Sequence, residues 1–181
     1  MPGGEDSSMG SGIFFQCPEC GYGFDGITGV GFAVPMIYAE TVGKMKRGEL
    51  GDIAKRFFDE HPDGAINCEN VVMRCENCGE YDSQESLAMY VLKEGFSHEI
   101  PGGIWSVSAL FEGSDYVDSD ELEACYSLYA EYPHNCKKCG GDMRVAEIFS
   151  EDEYGNETVK HNPICPHCKT EMKESVFFCW D

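Results

Sequence analysis

Four Cys-x-x-Cys pairs constrain this chain more than any other feature. They are Cys17/Cys20 in CPECG, Cys75/Cys78 in CENCG, Cys136/Cys139 in CKKCG and Cys165/Cys168 in CPHCK. Two residues between the thiols let both sulfurs face one point about 2.3 Å away, half of a tetrahedral metal site. Glycine follows the second cysteine in three pairs, as Gly21, Gly79 and Gly140. A glycine there takes positive φ and leaves backbone N–H groups free to point at the sulfurs. β-prone residues lead into the turns: Ile13-Phe14-Phe15, Val71-Val72-Met73, the segment Leu128 to Tyr132, and Val159 with Ile164. Each pair therefore reads as a metal-binding knuckle.

Two other readings of the cysteines fit less well. The chain has 11 cysteines, an odd number that cannot close a complete disulfide framework. A thioredoxin-like redox pair would open a helix in a βαβ pattern, whereas these pairs sit in strand-flanked turns. Residues 1–12 hold no basic start and no apolar run, so no export signal is expected and the chain is placed in a reducing cytoplasm. Zinc is the expected ion, two per chain, with Cys17, Cys20, Cys75, Cys78, Cys136, Cys139, Cys165 and Cys168 as ligands. The hairpin pattern of Met143–Phe149 and Thr158–Lys160 about Tyr154-Gly155-Asn156 pairs Cys136 and Cys139 with Cys165 and Cys168. By elimination Cys17 and Cys20 then join Cys75 and Cys78, while an interleaved arrangement or a recruited histidine stays open.

CPECGYGFD, residues 17–25, is similar to a rubredoxin knuckle, with an aromatic after the glycine and another before the Asp. That resemblance implies a four-thiolate site that takes iron as readily as zinc, so iron is a candidate at the first site. The 54 residues between Cys20 and Cys75 are too many for the rubredoxin fold. More broadly, the stretch CPECGYGFDGITGVGFAVPMIYAETVGKMKRGELG resembles bacterial CPxCG-type zinc-ribbon proteins of uncharacterised role. It implies a tandem zinc-ribbon fold and brings no activity with it.

Between the first two knuckles the apolar period changes to that of a helix. Tyr38, Val42 and Met45 follow Pro35, and Leu50, Ile53, Ala54, Phe57 and Phe58 make a second stripe. A helical hairpin over 36–47 and 50–60 is expected, packed on the first ribbon. Leu87–Leu92 and Ile104–Phe111 read as strands. Near residue 119 a helix capped by Ser119 and Asp120 with Glu123 competes with a strand pattern at Tyr126, Leu128, Ala130 and Tyr132, and the strand is favoured beyond Ala124. The expected class is α+β: a disordered tail over 1–12, a zinc-ribbon unit with the helical insert over 13–100, and a β segment with a compact ribbon over 101–181.

Charge bears on function. The 33 acidic residues against 13 Lys and Arg give a formal net charge of -20, which disfavours nucleic acid and anionic membrane surfaces. The basic residues Lys44, Lys46, Arg47, Lys55 and Arg56 of the insert invite a nucleic-acid reading, but they also fit the solvated faces of packed helices. Seven acids between Glu112 and Glu131 lie among Gly, Ser and Asp, which suits a solvated loop more than catalytic carboxylates. Cys68, Cys125 and Cys179 read as small buried hydrophobes. His134 and His161 read as polar strand residues near knuckles, His167 as solvent-facing, and Trp105 and Trp180 as core or strand-edge residues. The sequence supports a non-enzymatic adaptor that meets a basic protein partner, with a redox protein or a nucleic-acid-associated ribbon as alternatives.

Overall fold

A computed structural model describes residues 10–31, 34–96, 116–151 and 157–180. Among the described residues the fold is α+β, with three helices and several small sheets. The chain divides into two compact units, each discontinuous in sequence. Unit 1 is Met1–Gly31, Asn70–Gln84 and Pro133–Asp181; unit 2 is Phe32–Glu69 and Glu85–Tyr132. This division cuts across the contiguous boundary near 100/101 expected from the sequence.

Unit 1 holds all four knuckles. β1 (Gly10–Gln16) lies between β2 (Gly23–Thr28) and β11 (Lys173–Trp180), antiparallel to both. Gly10, Ser11 and Gly12 thus belong to a strand, which corrects the expected tail over 1–12; residues 1–9 lie outside the described set. A second sheet has the order β5 (Tyr81–Glu85), β4 (Asn70–Cys75), β8 (Met143–Val145). β9 (Phe149–Glu151) and β10 (Glu157–Val159) pair as a hairpin, whose turn falls outside the described residues. Of the expected first arm over Met143–Phe149 only Phe149 takes part, because Met143–Val145 pairs with β4.

Alternation along β4 explains how one strand serves two cores. Val72 and Met73 point to opposite faces, as neighbours in a strand must. Val72 packs with Phe15, Phe24, Ile148, Met172 and the thiols of Cys17 and Cys165. Met73 packs with Met143, Cys75 and Cys136. Phe15 stacks on Phe24 at 5.3 Å and Phe24 on Tyr81 at 4.6 Å, so aromatic area supplies much of the first core.

Unit 2 contains the two expected helices, α1 (Val34–Arg47) and α2 (Asp52–Glu60). α1 buries Val34, Pro35, Tyr38, Thr41 and Met45, so Thr41 occupies the core position that the sequence reading gave to Val42. α2 buries Ala54, Phe57 and Phe58 but leaves Ile53 half exposed. The sheet β3 (Ala65–Ile66), β6 (Met89–Leu92), β7 (Tyr126–Ala130) joins them in this unit. Leu87 falls before β6 rather than in it, with φ at 54°.

Residues 119–130 resolve the competition between helix and strand by doing both. α3 (Ser119–Cys125) is capped by Asp118, whose side chain accepts the Glu121 N–H, one residue before the expected cap. β7 follows at once, where the strand was favoured. It pairs with β6 and does not feed the third knuckle directly. The expected strand at Ile104–Phe111, with Trp105, lies outside the described residues.

Candidate metal centres

All four Cys-x-x-Cys turns adopt one hydrogen-bonded form. The N–H of each first cysteine donates to the carbonyl five residues on: Cys17 to Tyr22 (2.7 Å), Cys75 to Glu80 (2.8 Å), Cys136 to Gly141 (2.8 Å) and Cys165 to Thr170 (2.9 Å). Each first-cysteine carbonyl accepts from the residue four on: Gly21, Gly79, Gly140 and Lys169, at 2.8–3.1 Å. These four residues have φ of 74°, 78°, 71° and 65°. The glycines sit where positive φ was expected, and the fourth turn forces the same conformation on a lysine. In every turn the first cysteine is buried and the second is exposed or intermediate.

The turns assemble in nested order. Cys17 and Cys20 meet Cys165 and Cys168, and Cys75 and Cys78 meet Cys136 and Cys139, each set of sulfurs lying within 4.8 Å of one another. The pairing expected from the sequence, third knuckle with fourth and first with second, is therefore wrong. The reason is strand pairing. β11 runs beside β1 up to Gln16↔Lys173, which delivers the fourth knuckle to the first. β8 runs beside β4 as far as Cys75↔Met143, which delivers the third knuckle to the second. The β9–β10 hairpin connects the third and fourth knuckles in sequence without bringing them to one centre.

The sulfur geometry fits a tetrahedral metal. A regular four-thiolate site with bonds near 2.3 Å puts its sulfurs about 3.8 Å apart. The first centre has Cys17–Cys168 at 3.3 Å, Cys20–Cys165 at 3.5 Å and Cys20–Cys168 at 3.8 Å. The second has Cys75–Cys139 at 3.5 Å and Cys78–Cys136 at 3.6 Å. None of the cysteines is disulfide-bonded.

Protonation equilibria point the same way. The Gly141 backbone N–H, the Asn77 amide and neighbouring thiols draw the Cys139 thiol down to about 6. The hydroxyl and backbone N–H of Thr170 do the same for Cys168, again to about 6. At Cys20 the Tyr22 backbone N–H pulls downward, yet desolvation and the three surrounding sulfurs outweigh it and push the thiol up to about 12. At Cys78 the Glu80 backbone N–H is likewise outweighed, and the thiol rises to about 12. Each centre thus ionises one sulfur readily and resists ionising another beside it. A divalent cation relieves that conflict, because a metal ion stabilises all four thiolates together. The eight expected ligands fit the group; the identity of the metal is not fixed by this donor set.

Several residues around the centres carried no distinct signal in the sequence. Tyr22, Glu80, Gly141 and Thr170 each stand two positions after a second cysteine and direct a backbone N–H at its sulfur. That common spacing is the one sequence feature by which they are recognisable. Asn77 donates its side-chain amide to Cys139 across the knuckles at 3.5 Å. Glu80 has the richest set of contacts: its carboxylate accepts from Lys138 and from His167.

The histidines are not ligands in these sets. His134 is buried, with Nδ1 3.0 Å from Gln84 Oε1. His161 is exposed. His167 faces solvent as expected but also packs on the Tyr22 ring at 4.7 Å and bonds Glu80. Cys68 and Cys125 are buried, and burial pushes the Cys68 thiol up. Cys179 is exposed on β11, which corrects its reading as a buried hydrophobe. The side chain of Trp180 and all of Trp105 lie outside the described set.

The basic residues of the insert are mostly engaged. Lys44 pairs with Glu40, Arg47 with Glu49 and Lys55 with Asp59, and Lys46 lies over the Phe58 ring. Among the described residues no helix is long and apolar enough to cross a membrane. Compared with protein-family models, curated proteins and solved structures, the chain matches none.

Proposed function

We propose that this chain is a non-enzymatic zinc protein whose two four-cysteine centres, of zinc-ribbon type, hold an adaptor surface for a basic protein partner in the cytoplasm. The observation that carries the metal reading is the meeting of two complete four-thiol sets, each drawn from two turns of identical form. Cys17, Cys20, Cys165 and Cys168 would hold one zinc, and Cys75, Cys78, Cys136 and Cys139 the other. Four protein thiolates saturate tetrahedral zinc and leave no position for water or substrate, so the ions stabilise the fold and do not catalyse. As in zinc-finger peptides, each would add folding free energy on the order of 10–16 kcal/mol.

The charge arrangement supports the adaptor reading over nucleic-acid binding. Besides the four insert residues above, Lys137, Lys138, Arg144 and Lys160 pair with Asp82, Glu80, Glu76 and Glu147. Arg74 lies over the Tyr81 ring, and Lys93 and Lys169 donate to carbonyls. Eleven of the 13 basic side chains are thus engaged within the chain, and the 33 acids far outnumber them. What such a surface attracts is a basic partner.

Metal content by inductively coupled plasma mass spectrometry, with a visible spectrum, tests this. Two zinc ions per chain and no colour are expected. Iron with thiolate-to-metal absorption would replace zinc and favour electron transfer. No metal would end the proposal.

A further inference from the structure

One residue, Glu80, ties the second knuckle to the third and the fourth. The Glu80 backbone carbonyl accepts the Cys75 N–H at 2.8 Å, inside the second knuckle. Its side chain is only 17% exposed. It accepts from Lys138 of the third knuckle and from His167 Nε2 of the fourth at 3.0 Å, and the Tyr22 hydroxyl of the first knuckle interacts with it electrostatically. The rings of Tyr22 and His167 are themselves in tilted contact at 4.7 Å, and Lys138 and His167 approach to 3.5 Å. A methyl at Gly79 would meet Pro166 at 3.3 Å, so the second and fourth knuckles also pack closely.

Tyr22 and His167 belong to turns of the first centre, and Glu80 and Lys138 to turns of the second. Their polar groups converge on a largely buried carboxylate, where charge-assisted hydrogen bonds are stronger than in water and costly to leave incomplete. From this we infer that Glu80 is a positioning residue that couples the two centres, so that filling one raises the metal affinity of the other. The inference rests on the metal reading above.

The physical path is short. Loading the second centre fixes the turns that carry Glu80 and Lys138, and so holds the carboxylate in place. His167, packed on the Tyr22 ring, then finds its acceptor already ordered, and the first centre is assembled at a smaller entropic cost. The effect is reciprocal, because linkage requires that each ion help the other by one factor. Lys138, lying against Glu80, also offsets part of the negative charge that a four-thiolate centre retains around a divalent ion.

The test is native mass spectrometry of the full, reduced, metal-free chain titrated with zinc. Independent equal sites would leave half of the molecules singly loaded at half saturation, and unequal sites more. Coupling of about tenfold, within the usual range for linked sites, lowers that fraction to about a quarter. The expected result is a singly loaded fraction of about a quarter in the wild type. In Glu80→Gln, which keeps the shape and loses the charge, it should rise to half or more. Tyr22→Phe, which removes one hydroxyl, should give an intermediate value and guards against a fold defect in the first variant. Half or more singly loaded wild type would overturn the coupling while leaving the metal reading intact. A low fraction unchanged in both variants would overturn the role of Glu80. Failure to bind zinc at all would overturn the metal reading and this inference with it.

Discussion

The sulfurs of Cys17 and Cys168 lie 3.3 Å apart although 151 positions separate them in the chain. Paired exchanges test this nested order directly. The second cysteine of each turn is the better probe, because it is less buried than the first. Cys20→Ser with Cys168→Ser removes two ligands from one centre and should retain one metal ion per chain. Cys20→Ser with Cys78→Ser damages both centres and should retain none. Pairing of the first knuckle with the second would give the opposite result, so metal content of the two double variants decides the question.

Lys169 supplies a second test, since it holds φ at 65° where the other turns use glycine. A non-glycine residue in that region costs about 1–2 kcal/mol. Lys169→Gly should therefore stabilise the protein by about 1 kcal/mol, raising Tm by about 2–4 °C for a chain of this size. The reverse exchange, Gly140→Ala, meets no atom within 4 Å of the new methyl, so only the backbone conformation opposes it. It should lower stability by a similar amount. Differential scanning calorimetry of both variants with metal bound checks the pair.

The knuckles, their capacity to hold metal and three of their four positive-φ residues (Gly21, Gly79 and Gly140, but not Lys169) were legible in the sequence because they are local: six consecutive residues specify each turn. The helices at Val34–Arg47 and Asp52–Glu60 were legible for the same reason, through apolar spacing. Which knuckle meets which was not legible. That depends on β11 choosing β1 and β8 choosing β4, and Lys173 or Met143 carries no mark of its partner. Glu80 was illegible as well, since an acid after a glycine looks like any solvated surface residue until Lys138 and His167 are brought to it.

Glu85 gives a stability that depends on pH. Desolvation raises its pKa, Lys44 opposes the shift and Glu40 adds to it. A carboxyl whose folded pKa is raised favours folding when protonated. That contribution is complete below the unfolded value, near 4.3, and is lost as pH rises through the folded value. At neutral pH the ionised group therefore opposes folding. Glu85→Gln should be more stable than the wild type at pH 7, and the difference should vanish below about pH 4. Urea unfolding at both pH values provides the comparison, and an equal difference at both would contradict the sign.

Gly141 should control the affinity of the second centre. A methyl there would stand 2.8 Å from Asn77 Cβ and 3.3 Å from the sulfurs of both Cys75 and Cys139. Asn77 Cβ is anchored to the backbone of the second knuckle, so the clash cannot be relieved by rotating a flexible side-chain end. Overpacking of this kind costs typically 1–3 kcal/mol. Two of the displaced atoms are sulfurs of the proposed ligand set, so that cost should fall on metal binding at Cys75, Cys78, Cys136 and Cys139. Gly141→Ala should weaken that centre by about 5- to 150-fold. Competition with a chromophoric chelator should then show one ion leaving well before the other, whereas simultaneous and unweakened release would show that the turn absorbs the methyl.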